Sequence, residues 1–117
     1  MTKAHTITIV PAQTHVQVKV GGQTVAESDR AMRLDETGLS PRYYFPADDV
    51  RTDLLRPTEL RTTCPFKGEA SYWSVQAGDD LHENVVWSYQ DPIKNAEAIT
   101  GLFCFYDEKV DQAVSSS

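Results

Sequence analysis

Cys64-Pro65-Phe66-Lys67-Gly68 sets a thiol, an ammonium and a glycine turn within five residues, followed at once by Tyr72 and Trp73. A cysteine acts as a nucleophile or redox centre through its thiolate, which cationic neighbours favour. Arg61 and Lys67 are both close in sequence. The competing reading is a small apolar residue packing a tight turn, as most free cysteines do. No histidine lies near enough in sequence to serve as base; His5, His15 and His82 would each have to be delivered by the fold. Lys67 and Gly68 together could bind an anion, with the backbone amides of a glycine turn supplementing the ammonium charge. The Walker spacing GxxxxGK[ST] is absent. A solvated turn lysine is the plainer alternative.

Tyr43, Tyr44, Phe45, Tyr72, Trp73, Trp87, Tyr89 and Tyr106 hold most of the aromatic side chains. Neighbours on a strand face opposite ways, so about half of them can line any one pocket. Tyr72 shares a face with Ser74, Trp87 with Tyr89, and Cys104 with Tyr106; if those faces meet they enclose a cavity of phenol, indole and thiol groups. A plain aromatic core satisfies the same pattern. The paired carboxylates Asp48-Asp49 and Asp79-Asp80 fit a helix cap and a loop, and Asp107-Glu108 fit an exposed stretch after a strand.

The elements that must position these groups read as strands. Residues 6–9 alternate, and Val16, Val18 and Val20 alternate with Gln17 and Lys19 as a half-buried strand does. Gly21-Gly22 supplies the positive φ of a two-residue hairpin turn, and residues 23–28 return with Val25 inward. Residues 30–36 and the aromatic run 42–45 read as further strands. Asp48 and Asp49 cap a short helical segment at 47–55, with Val50 and Leu54 inward and Pro57 ending it. Residues 69–76 and 81–89 form a hairpin around Ala77-Gly78-Asp79-Asp80. Asp91-Pro92 starts a second short helix over 92–99, with Gly101 near its end, and residues 102–106 make the last strand. The expected fold is one mainly β, antiparallel domain over 1–117 with two short helical segments, a core at about 14–112 and a frayed tail at 113–117.

The totals narrow the function. A formal net charge of −6 argues against nucleic acid and anionic membranes as partners. No run reaches the ~18 apolar residues of a membrane span, and the N-terminus alternates rather than forming a secretory signal. Two cysteines, 64 and 104, give no disulfide framework and no four-cysteine zinc site. The expectation is a reduced cytoplasmic protein with no metal and no cofactor.

Arg42-Tyr43-Tyr44-Phe45-Pro46, Asp49-Val50, Thr63-Cys64-Pro65-Phe66-Lys67-Gly68, Ala70, Tyr72-Trp73, Trp87-Ser88-Tyr89 with Pro92, and Gly101 leading to Phe105-Tyr106 and Val110 occur in that order. Over residues 14–112 the chain resembles a bacterial and fungal family, domain of unknown function 427. That family also carries a nucleotidyltransferase-type label, but no Gly-Ser followed by paired metal-binding aspartates is present. The resemblance implies the β-tent of Mss4-like proteins, whose relatives include B-type methionine sulfoxide reductases and aromatic-cage ligand-binding domains. It also makes Tyr43, Cys64, Lys67, Tyr72 and Trp87 family motif positions, with no established role attached to any. The cysteine pairs with which many such relatives bind zinc are missing.

Three functional readings follow. The first is a small-molecule-binding module: Lys67 holds an anionic group, Tyr43 and Tyr72 hydrogen-bond, Trp87 stacks, and the Cys64 turn forms the rim. The second is a thiol enzyme with Cys64 as nucleophile and Cys104 as resolving partner. The third is an interaction domain or homodimer pairing through a sheet edge.

Overall fold

Val16, Val18 and Val20 point one way from a pleated strand, and they are fully buried because a second sheet lies against them. In the computed structural model, which describes residues 5–116, the strands are β1 (Ile7–Pro11), β2 (Thr14–Val20), β3 (Gln23–Ser28), β4 (Met32–Glu36) and β5 (Arg42–Phe45). They continue with β6 (Leu55–Cys64), β7 (Gly68–Ala77), β8 (Asp80–Ser88), β9 (Phe103–Phe105) and β10 (Asp111–Ser116). A seven-stranded sheet runs β1-β4-β5-β9-β8-β7-β6 and a three-stranded sheet runs β10-β2-β3. Every ladder is antiparallel. The fold class is mainly antiparallel β, as expected.

The larger sheet buries both faces. Phe45, Val75, Val86, Phe103 and Phe105 pack against Val16, Val18, Val20 and Val25 of the smaller sheet. Leu34, Tyr44, Ala70, Tyr72, Trp87, Tyr89 and Cys104 form a second core on the opposite face, closed over by Ala96 and Ile99 and by Ile7 and Ile9 of β1. Alternation enforces the division: Tyr44 and Phe45 are adjacent, yet each belongs to a different core.

Four local expectations change. The helical segment at 47–55 is two short 3-10 turns, Ala47–Asp49 and Thr52–Leu54, with Val50 between them bridging Ala26. Asp49 caps neither; it accepts hydrogen bonds from Ser28 Oγ (2.6 Å) and Arg30 (3.0 Å). Pro57 does not stop the chain but lies within β6, an edge strand, where a missing N–H costs nothing when it faces outward. The second helical segment is a 3-10 stretch, Lys94–Ile99, preceded by Ile93 with no side-chain cap, so Asp91-Pro92 lies outside it. Finally, residues 102–106 hold only the short β9, and the chain continues into β10, which pairs with β2 as far as Ser116↔Thr14. The segment from Ala113, expected to fray, is strand; Ser117 lies outside the described residues.

Candidate functional site

Register builds the floor of the site. Tyr44 pairs with Cys104, Cys104 with Trp87 and Trp87 with Tyr72, so one cross-strand row traverses β5, β9, β8 and β7 on a single face. The Trp87 indole N–H donates to the Tyr44 hydroxyl (3.2 Å), locking the row at its centre. Two residues along each strand, on the same face, stand Arg42, Tyr106, Tyr89 and Ala70. The expected meeting of the Tyr72, Trp87–Tyr89 and Cys104–Tyr106 faces is what the structure shows, Ser74 apart: it turns aside to accept the backbone N–H of Asn84.

A cavity of about 170 Å³ opens above this floor, lined by Leu34, Glu36, Arg42, Lys67, Tyr72, Trp87, Tyr89 and Tyr106, with Leu39 and Ser40 at the mouth. Lys67 is not a solvated lysine. Its side chain is 12% exposed and its Nζ donates to Glu36 Oε1 at 2.9 Å, while Glu36 is 9% exposed. His5 donates to the other Glu36 oxygen (2.9 Å) and stacks on Phe66. Burial pushes the Glu36 carboxyl up, but Lys67 and His5 outweigh it and hold the group below the usual carboxylate range. Across the cavity the Arg42 guanidinium lies 5.2 Å from the Trp87 ring and 5.8 Å from that of Tyr106. Its Nη1 reaches Asp107 (3.0 Å) and Glu108 (3.4 Å), so these two carboxylates, read as simply exposed, anchor a wall of the site.

Hydroxyl groups complete the wall. Tyr72 shares hydrogen bonds with Thr62 (2.8 Å) and Tyr106 (3.3 Å). Burial pushes the Tyr106 phenol up, and its bond to Tyr72 reinforces the shift. Burial also raises Tyr89, so both phenols are neutral O–H groups at physiological pH.

A family model described as Domain of unknown function (DUF427) matches residues 8–116. The chain belongs to that family. No curated protein matches the chain.

Of the five residues expected at the site of this DUF427 domain, Lys67, Tyr72 and Trp87 meet at the cavity. Cys64 is half-buried beside the same aromatic core but does not line the cavity. Tyr43 points the other way and packs against the core between the sheets, because it alternates with Arg42 and Tyr44. The turn itself is tied down: the Lys67 amide donates to the Cys64 carbonyl (3.2 Å) and the Lys67 carbonyl accepts from Ile93 N (3.0 Å). That first amide is therefore not available to cradle an anion. Cys104 is fully buried and burial pushes its thiol up, which disfavours a resolving thiolate. Of the histidines, His5 alone reaches the turn. His15 is held by Asp29 and Glu27, and His82 sits against Gly21.

Glu36, Arg42, Tyr89 and Tyr106 are site residues that reading along the sequence did not single out as ligand-binding. Period-two alternation carried a signal for three of them, since Arg42 is two residues from Tyr44, Tyr89 two from Trp87 and Tyr106 two from Cys104. A second depression, wider and open at about 400 Å³, is lined by residues 23–27 and 48–51 and is separate from the aromatic row. Among the described residues no group of three or more His, Cys, Asp or Glu side chains is placed to hold a metal ion. No described helix is long and apolar enough to cross a membrane.

Proposed function

We propose that this DUF427 domain is a small-molecule-binding module whose ligand is an anion held in the cavity over the Tyr44–Cys104–Trp87–Tyr72 row. The observation that carries the reading is the supply of donors. A guanidinium has five N–H groups and an ammonium three. Arg42 uses only Nη1 among the described residues, and Lys67 gives one bond to Glu36. The lining's carboxylate, Glu36, already has both oxygens engaged by Lys67 and His5. What is left over faces the cavity as donors on cationic groups, set in low-dielectric aromatic walls that strengthen them.

Size limits the ligand. A cavity of about 170 Å³ is only slightly larger than one of about 150 Å³ that accepts benzene. The test is a ligand-observed NMR screen of small carboxylates and small amines against wild type and Arg42→Gln. A hit whose affinity falls about tenfold or more in Arg42→Gln supports the reading, in line with a charge-assisted hydrogen bond. Hits insensitive to Arg42, or cationic hits only, overturn it.

A further inference from the structure

One hydroxyl in the cavity has no role in holding the fold together. Tyr89 is 5% exposed, yet its O–H forms no hydrogen bond among the described residues, while the neighbouring Tyr72, Tyr106 and Trp87 polar groups are all engaged. Its main chain is fixed: the Tyr89 carbonyl accepts from Gly101 N (3.0 Å), and Tyr89 bridges Thr100. Gly101 holds the positive φ of +71° that turns the chain there. The hydroxyl is not sealed off from solvent as an orphaned buried group; it belongs to the cavity lining on a fixed main chain and is free to bond what enters. The Lys67 ammonium lies 5.8 Å from the centre of the same ring.

We infer that the Tyr89 hydroxyl is the donor that orients the ligand, and that the ligand is a small monocarboxylate with an apolar body no larger than one six-membered ring. This rests on the anion-binding reading above and extends it to a chemical class. Donors rather than net charge set the class: Arg42 and Lys67 line the cavity with N–H groups beyond those given to Asp107, Glu108 and Glu36, and because those carboxylates already balance the two cations, the fitting anion is a monoanion. A phosphate dianion would add more negative charge than these donors offset, and a cation would find the nearby carboxylates already engaged by Arg42, Lys67 and His5. The Leu34, Trp87, Tyr72 and Tyr106 walls offer the body apolar contact, and a carboxylate carries enough lone pairs to accept from Tyr89 as well as a cation. Burial keeps the phenol protonated, so it donates rather than accepts across the physiological range.

The experiment titrates wild type and Tyr89→Phe at pH 7.5 with four probes: benzoate, toluene, benzylammonium and inorganic phosphate. Wild type is expected to bind benzoate in preference to the other three. Tyr89→Phe is expected to weaken benzoate ten- to hundredfold, the range for a hydrogen bond to a charged group. Toluene, which has no acceptor, should be unaffected, and the melting temperature should not fall, since the lost hydroxyl has no partner in the fold. Benzoate binding unchanged in Tyr89→Phe overturns the Tyr89 assignment and leaves the anion reading standing. An equal loss for benzoate and toluene overturns it too, by making Tyr89 a shaping wall. Tighter binding of phosphate than of benzoate overturns the carboxylate class. Wild type binding none of the four at millimolar concentration overturns this inference and the anion reading together.

Discussion

Lys67 is the residue whose behaviour the three-dimensional arrangement changes most. As a solvated turn lysine it would be removable at little cost. Paired at 2.9 Å with a largely covered Glu36, its loss leaves that carboxylate to His5 alone. Lys67→Ala is therefore expected to destabilise by about 1–3 kcal/mol, the cost of removing a hydrogen bond to a charged, partly covered group. The double variant Lys67→Met/Glu36→Gln should recover most of that, and urea denaturation of all three proteins measures it. The same pair gives a pH dependence. Glu36 has its carboxyl depressed in the folded state, so its contribution is present above the ordinary carboxylate value, roughly 4.3, and is lost as pH falls through the lower folded value. His15 has the opposite sign. Hydrogen bonds to Asp29 and then Glu27 raise its pKa, so its contribution is complete below roughly pH 6.5 and disappears as pH rises through the folded value. Melting temperature measured from acid to mildly alkaline pH should show a decline above neutrality that His15→Gln removes.

At the scale of elements, the turn between β6 and β7 is a corner tied to the rest of the fold through Ile93, Glu36 and His5. Gly68 has φ +113°, and a Cβ there would stand 3.4 Å from both Ile93 N and Pro92 Cα. Gly68→Val thus combines backbone strain of about 1–3 kcal/mol with displacement of the segment before the Lys94–Ile99 stretch. Its melting temperature should fall clearly, while Cys64→Ser, which alters a group outside the cavity lining, should leave benzoate affinity within about twofold, well under the 1.4 kcal/mol of a tenfold change. The β6 edge is guarded against pairing with another strand. Its register with β7 breaks between Pro57 and Arg61, and Arg61 donates to the Thr58 and Leu60 carbonyls that a second strand would need. A proline, an irregularity and capping arginines are the devices by which sheets avoid edge-to-edge association.

The molecule as a whole depends on the seven-stranded sheet having something to bury on each face. Phe45 is fully buried between the two sheets and meets Phe105 edge to face at 5.8 Å. Phe45→Ala is expected to cost about 3–5 kcal/mol, a large part of the ~5–15 kcal/mol by which a domain is stable. Chemical denaturation followed by tryptophan fluorescence reads this directly. Trp87 and Trp73 sit on opposite faces of the sheet, so coincident transitions by far-ultraviolet dichroism and fluorescence would show that both cores melt as one unit.

The strands were legible in the sequence wherever alternation and turn chemistry agree. Val16-Val18-Val20 followed by Gly21-Gly22, and residues 69–76 followed by the Gly78 loop, mark their strands and the pairing next to each turn, because a pleat has period two and a positive φ selects glycine; farther out, irregularities between Val18 and Lys19 and between Trp73 and Val75 shift the register. Alternation also determined which aromatics can share a surface. It could not say which surface: Tyr43 and Tyr44 are equally aromatic, and only the packing of β2 and β3 on one face assigns Tyr43 to the core between the sheets and Tyr44 to the aromatic core behind the cavity. The strand β10 was hidden for a related reason, since Ala113, Val114 and Ser115 have little to bury and gain their order from hydrogen bonds to β2, some hundred residues earlier. The site's electrostatics lay entirely beyond local reading. Glu36 and Lys67 are 31 residues apart, Arg42 and Asp107 are 65 apart, and pairs of that separation exist only once strand order has closed the sheet.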